Sequence, residues 1–394
     1  MAARRIDLVD ALRGYALLGL LLVHSFERFE LYWLDPRPDA WVDTILALFA
    51  GKAFAIFALL FGFSFATIMA NERARGGDFT LRFAWRLVLL LAIGTVHALV
   101  YRGDILQVLA LVGLVMIPFD RVTSNRWLLA GAMLAFLQVP LLVQAWAAGS
   151  GAAWATAMPF FFADPSLQRL ADGSLADVIA ANAGPGMHGK WSFYLATGRI
   201  MEIAGLFLVG MVLQRGGLFA AARPATWAAI LAAATVLWLL VVLLTPALLP
   251  PGPGEGGAPM QQQAVVWLLD QWRALAAMAA QVAAFVLLWH TPVRRVLAPL
   301  ASPGRLTLTL YVGQSLVAVP LLYGFGAGLY DDFSNAGIVL LGLAFFLLQV
   351  VAANWWLRHY RYGPLEWLWR AATRTTLDVP FRGGVIINET PTAR

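Results

Sequence analysis

The chain has no cysteine in its 394 residues, so disulfides and thiolate catalysis are both excluded. Charge is also scarce. Asp, Glu, Lys and Arg make up 13% of the sequence, against about 25% in a soluble domain. The five histidines form no His-x-x-x-His or Glu-x-x-His pair, and no metal site is expected. There is no glycine-rich phosphate-binding fingerprint. The Gly-Phe-Ser within Phe61 to Phe65 lacks the strand-turn-helix setting of a serine nucleophile. No internal repeat is visible, which weighs against a transporter built from inverted repeats.

What the chain has is apolar surface: 60% of its residues are hydrophobic, and the mean hydropathy is +0.72. This composition predicts an all-α polytopic membrane protein with one transmembrane domain over 1–374 and a cytoplasmic tail over 375–394. The net charge of +6 comes from basic residues in short loops. That pattern is orientation by the positive-inside rule and not nucleic-acid binding.

Hydropathy and punctuation place ten spans near 6–26, 51–70, 85–101, 104–119, 127–147, 192–214, 225–247, 264–290, 306–323 and 336–357. The first follows basic residues but is too long and too acidic for a cleaved signal, so it reads as a retained span. Residues 40–50 read as an interfacial piece, 148–190 as a long loop, the proline- and glycine-rich stretch after 247 as irregular, and 363–374 as a surface helix. Alternating the loops puts Arg4, Arg5, Arg73, Arg75, Arg82, Arg86 and the later arginine pairs on one side. Both termini are therefore expected in the cytoplasm, and the membrane is expected to be the bacterial cytoplasmic (inner) one. The wide apolar perimeter meets membrane lipid and leaves room for a homodimer.

The first span carries Asp7, Asp10, Arg13 and His24. Ionisable groups inside a span are costly and point to function. Arg13 and His24 are eleven residues apart, which brings them to one helix face about 16 Å apart along the axis. At the depth of His24, on the outer side, the topology also places Lys52, His97, Asp104, Arg102 and the pair Arg199/Glu202. Each has a structural reading as well: His97 and Asp104 can satisfy each other across a tight turn, Arg199 and Glu202 can pair at i and i+3, and Lys52 can snorkel. His188, His290 and His359 read as solvated or helix-end residues. The most economical chemical use of the set is a histidine general base.

Leu12-Arg13-Gly14 followed by His24 resembles the Arg-(ten residues)-His arrangement of membrane acyltransferases, including relatives of heparan-glucosaminide N-acetyltransferase. More specifically the chain resembles the YeiB-like family (domain of unknown function 418). The stretches that carry this run from RIDLVDALRGYALLGLLLVH through GKAFAIFALLFGFSF, His97 with Gly103-Asp104-Ile105-Leu106, EIAGLFLVGMVLQRGGLF and GRLTLTLYVGQS to RYGPLEWLWR. The resemblance implies acyl transfer from cytoplasmic acyl-CoA, most simply acetyl-CoA, to a hydroxyl or amine of an extracytoplasmic acceptor such as a sugar. In that reading His24 is the base, and Asp104 orients His97. Lys52 or Arg102 stabilises the oxyanion, and Arg13 shapes the donor passage. Arg73, Arg75, Arg82 and Arg86 hold CoA phosphates, while Arg199, Glu202 and Arg102 meet the acceptor. A proton-coupled transporter or exporter using the same residues as a relay is the alternative. A non-catalytic lipid-binding scaffold is a third.

Overall fold

The computed structural model describes residues 6–221, 223–249, 260 and 262–382. Among these residues the regular structure is helical, with no strand. The first helix, α1 (Asp7–Phe26), has acidic residues in its first turn and His24 in its last, the polarity that suits the helix dipole. After it come α2 (Ala40–Leu48), capped by the Asp39 carboxylate on the Trp41 and Val42 amides, α3 (Ala53–Arg73), α4 (Thr80–Val100) and α5 (Leu106–Met116). Next are α6 (Asn125–Leu137) and α7 (Val139–Gly149), parted by Gln138 in the left-handed region. The middle of the chain forms α8 (Leu167–Asp172), α9 (Leu175–Ala181), α10 (Met187–Ala196) and α11 (Arg199–Arg215). The remainder forms α12 (Pro224–Leu248), α13 (Gln263–Trp289), α14 (Arg294–Leu297), α15 (Ala301–Arg305), α16 (Thr307–Leu322), α17 (Asn335–His359) and α18 (Pro364–Arg374).

Among the described residues seven helices are long and apolar enough to cross a bilayer, or nine when two bent pairs each count as one span. The protein is an integral membrane protein. The difference from ten expected spans has local causes. The segment at 104–119 is helical for only eleven residues before a 3-10 turn containing Pro118, whereas a crossing needs about 20. The span at 192–214 is bent by 64° at Gly198, whose φ is +70°, and the one at 306–323 is preceded by an 81° bend.

α1 packs against α3, α13, α15, α16 and α17, so Asp10, Arg13 and His24 face protein while Asp7 at its start is exposed. Its closest crossing is with α15: a Cβ on Gly304 would overlap the Asp10 carbonyl, and one on Gly14 the Leu300 carbonyl. Small residues permit such approach where helices pack in lipid. Beyond α1 the chain turns sharply. Arg28, Phe29 and Glu30 all have positive φ (49°, 51° and 90°), a conformation costing about 1–3 kcal/mol per residue. Arg28 offsets this strain by donating to Tyr330 O at 2.8 Å and to Phe333 O and Asn335 Oδ1 at 3.0 Å, and the Tyr323 hydroxyl donates to Phe29 O.

The stretch 148–190, expected as a loop, is folded over this end of the bundle. Arg102 donates to Asn182 Oδ1 (2.9 Å), Asp164 Oδ2 (2.6 Å) and Ser166 Oγ (3.0 Å), and Asn182 donates to the Leu99 and Val100 carbonyls at the end of α4. The helices α8 and α9 are too short to show a hydrophobic period in the sequence.

At the opposite end α18, expected on the membrane surface, is docked on α4 and α16. Trp369 Nε1 donates to Arg86 O, and Glu366 accepts from the Leu308 and Thr309 amides and the Thr309 hydroxyl; burial pushes the Glu366 carboxyl up from its usual range. The tail folds back through Phe381, which packs on Tyr360 and Trp367. Beyond Arg382 the tail lies outside the described residues, as do Arg4, Arg5 and most of the linker after Leu249.

Gly304→Ala should destabilise the protein by about 1–3 kcal/mol through overpacking against α1. Gly313→Ala on α16, where no atom would crowd the new methyl, should leave the melting temperature in detergent unchanged or raised. Arg102→Ala should uncouple the covering segment, because removing one member of a buried ion pair costs about 3–5 kcal/mol. Hydrogen exchange over 160–186 should then accelerate while that of α3 and α11 stays slow.

Candidate functional site

A cavity of about 580 Å³ lies at the His24 end of α1, beneath the covering segment. Four parts of the chain supply its chemistry: His24, Glu27 and Glu30 from α1 and its turn, Tyr101 and Arg102 after α4, Asp164 from the cover, and Lys190 and Arg199 from α10 and α11. Its remaining walls are largely aromatic, with Trp33, Phe49, Phe54, Phe161, Phe162 and Phe193.

His24 is fixed on one side of its ring. Nδ1 lies 2.8 Å from the Tyr101 hydroxyl and 3.5 Å from Glu27 Oε2, and Phe29 and Tyr101 pack on the imidazole at ring-centre distances of 5.8 and 5.2 Å. Nε2 is buried and has no hydrogen-bond partner among the described residues. With its proton on Nδ1, toward Glu27 and Tyr101, the ring keeps the Nε2 lone pair for a ligand.

His97 and Asp104 form a second, fully enclosed pair. Nδ1 of the histidine is 2.8 Å from Asp104 Oδ1, and Oδ2 accepts from the Gln107 amide. The His97 ring packs at 6.2 Å from Tyr101 and 5.4 Å from Tyr311. His97 thus stands one aromatic ring behind His24, but neither it nor Asp104 lines the cavity. Lys190, read from the sequence only as a loop charge, donates instead to Gln107 Oε1 and to Asp104 O on the cavity wall. Arg199 also lines the cavity, stacked at 4.5 Å on Phe54 and 3.2 Å from Glu202 Oε2. Glu202 is wholly buried behind it.

The other candidates lie elsewhere. Lys52 is buried at the start of α3, where Nζ donates to Leu46 O at 3.0 Å, and it does not reach the cavity wall. Arg13 bridges Asp10 (2.6 Å) to Ser64 on α3, deeper along α1. Arg73 pairs with Asp120 and Arg75 with Glu72, Arg82 lies near the Phe79 ring, and Arg86 is packed 3.7 Å from the centre of the Trp369 ring. Arg102 lines the cavity with its guanidinium already bonded to three partners. Sequence reasoning missed Glu27, Glu30 and Tyr101. Glu27 and Glu30 follow His24 by three and six residues, and Tyr101 precedes the Arg102 turn. Among the described residues no three His, Asp or Glu side chains gather closely enough to ligate a metal.

Comparison with known proteins follows this division of the chain. Residues 5–165, which supply His24, Tyr101, Arg102 and Asp164, match the family described as heparan-alpha-glucosaminide N-acetyltransferase, catalytic. Residues 213–376 match the family described as protein of unknown function (DUF418). The chain is 28% identical over 395 residues to uncharacterized protein YxaH of Bacillus subtilis (strain 168), covering 94% of each. It is 26% identical over 412 residues to uncharacterized protein YeiB of Escherichia coli (strain K12), covering 93% of this chain and 95% of the relative. The chain is therefore similar to both families in turn, the N-acetyltransferase catalytic match lying ahead of the DUF418 match, and it is similar to YeiB over nearly its whole length.

Proposed function

We propose that the protein is an acyltransferase of the bacterial cytoplasmic membrane that moves an acyl group from a CoA thioester, most simply acetyl-CoA, to a hydroxyl or amine on the outer side. The observation that carries this reading is the His24 ring: it lines the cavity, is held through Nδ1 and leaves Nε2 without a partner. It also lies within the stretch that matches an N-acetyltransferase catalytic family.

In this reading Nε2 removes the acceptor's proton as its oxygen or nitrogen attacks the thioester carbonyl. The tetrahedral intermediate collapses with cleavage of the C–S bond, and the departing thiolate takes the proton from Nε2. Glu27 and Tyr101 favour the productive tautomer and stabilise the imidazolium that forms. His97 and Asp104 act from behind, by fixing the Tyr101 ring. In this reading both termini lie in the cytoplasm, which the arginine bias of the loops favours. There Arg73, Arg75 and Arg82 are exposed and would meet the CoA phosphates, while Arg86 serves the packing of α18.

In proteoliposomes supplied with radiolabelled acetyl-CoA and a panel of amino sugars, His24→Ala should lower transfer by about 10²–10⁴-fold and leave acetyl-CoA binding intact. A folded His24→Ala protein with normal transfer would sink the mechanism. Changing Arg73, Arg75 and Arg82 together to glutamine should weaken acetyl-CoA binding and flatten its salt dependence. Arg86→Gln should instead lower the melting temperature. Unchanged donor affinity in the triple variant would remove the phosphate assignment.

A further inference from the structure

The cavity wall holds an ammonium, that of Lys190, with no carboxylate in contact among the described residues. Lys190 is one of two lysines in a chain whose other strong bases are all arginine. It is more than nine-tenths buried. Its Nζ donates to two neutral oxygens, the Gln107 side-chain amide and the Asp104 main-chain carbonyl. The Asp104 carboxylate is itself committed to His97 and the Gln107 amide. A buried charge without a counter-ion in contact is costly, above all inside a membrane. The cost is offset when a ligand supplies the missing charge.

A second cation shares the cavity. Arg199 is fixed by the Phe54 and Phe193 rings, at 4.5 and 5.9 Å, and by one hydrogen bond to Glu202. Gly51 faces it, and even a Cβ there would stand 3.7 Å from Nη1. The glycine therefore leaves that edge of the guanidinium open to the cavity. Of the three carboxylates on the wall, Asp164 is neutralised by Arg102 at 2.6 Å, and Glu27 and Glu30 belong to α1 and its turn with His24. They would repel an anionic group from the reacting end and direct it toward the α10 and α11 wall.

We infer that the cavity takes an anionic small molecule, its carboxylate or phosphate drawn to the wall that carries the cations Lys190 and Arg199. That this molecule is the acyl acceptor, presenting its hydroxyl or amine to His24, rests on the acyl-transfer reading above; the anion subsite does not.

Three probes that share one sugar ring separate the possibilities: glucose, glucuronate and glucose 6-phosphate, titrated calorimetrically into the purified full-length protein without any acyl donor. One or both anionic probes should bind at least tenfold more tightly than glucose, and the better of the two identifies carboxylate or phosphate as the preferred group. Lys190→Met and Arg199→Gln should each erase most of that preference, and Lys190→Arg should retain part of it. Where Lys190→Met fails to fold, Arg199→Gln and Lys190→Arg carry the comparison. Equal binding of the three probes, no binding of either anion, or an anion preference untouched by these variants would overturn the inference. A protein that binds glucuronate and transfers nothing keeps the subsite and loses the acyl-transfer reading. One that acylates glucose and ignores both anions loses the subsite alone.

Discussion

Inside the hydrocarbon layer no water is at hand to satisfy a polar side chain, so each such group on α1 must find its partner in protein. The helix meets this demand at both ends. Arg13 joins Asp10 to Ser64 across the α1–α3 contact, and His24 joins Tyr101 and Glu27. A helix with that many internal obligations has to be enclosed. The glycine crossing with α15, the contact with α17 and the strained turn at Arg28 to Glu30 are the means of enclosure. The same turn returns Glu30 to the cavity, so the strain is held where the chemistry lies.

The cavity itself is divided by charge. Glu27, Glu30 and His24 come from α1 and its turn, Lys190 and Arg199 come from α10 and α11, and the remaining ions on the wall, Arg102 and Asp164, are paired with each other at 2.6 Å. In so apolar a setting electrostatic effects are stronger than in water. A few ionic groups therefore suffice to orient a ligand.

Much of the scaffold was legible from apolar length alone. The segments that became α1, α3, α4, α12, α13 and α17 are long runs whose burial in lipid needs no knowledge of their neighbours. The breaks were harder to see. The break at Gln138 is fixed by side-chain pairings across the bundle, with Gln271 and the Gly198 carbonyl, which local sequence does not show, whereas α5 is cut short by the turn at Pro118. At the site, His24 stood out because an ionisable group in a span is conspicuous, and His97 with Asp104 because they flank a turn. Lys190, Asp164 and Glu30 lie in polar stretches, where a charge ordinarily means solvent. Their burial was set by the fold of the cover and of the Arg28 turn. Lys52 shared the depth of His24 but not its direction: its ammonium is held by the Leu46 carbonyl on the preceding turn.

The seating of Trp369 on Arg86 bears on how such a chain is inherited. The last helix of the stretch that matches DUF418 is anchored to a helix of the stretch that matches the N-acetyltransferase catalytic family, and α15, from the later part, crosses α1 at its tightest point. The two family matches are consecutive in sequence yet interlocked in space, and the boundary between them is not a seam between modules. Neither segment presents a finished surface to lipid without the other. Recombination that exchanged one alone would strip α1 of α15, α16 and α17 and α4 of α18, so the two are expected to pass through evolution as a single unit.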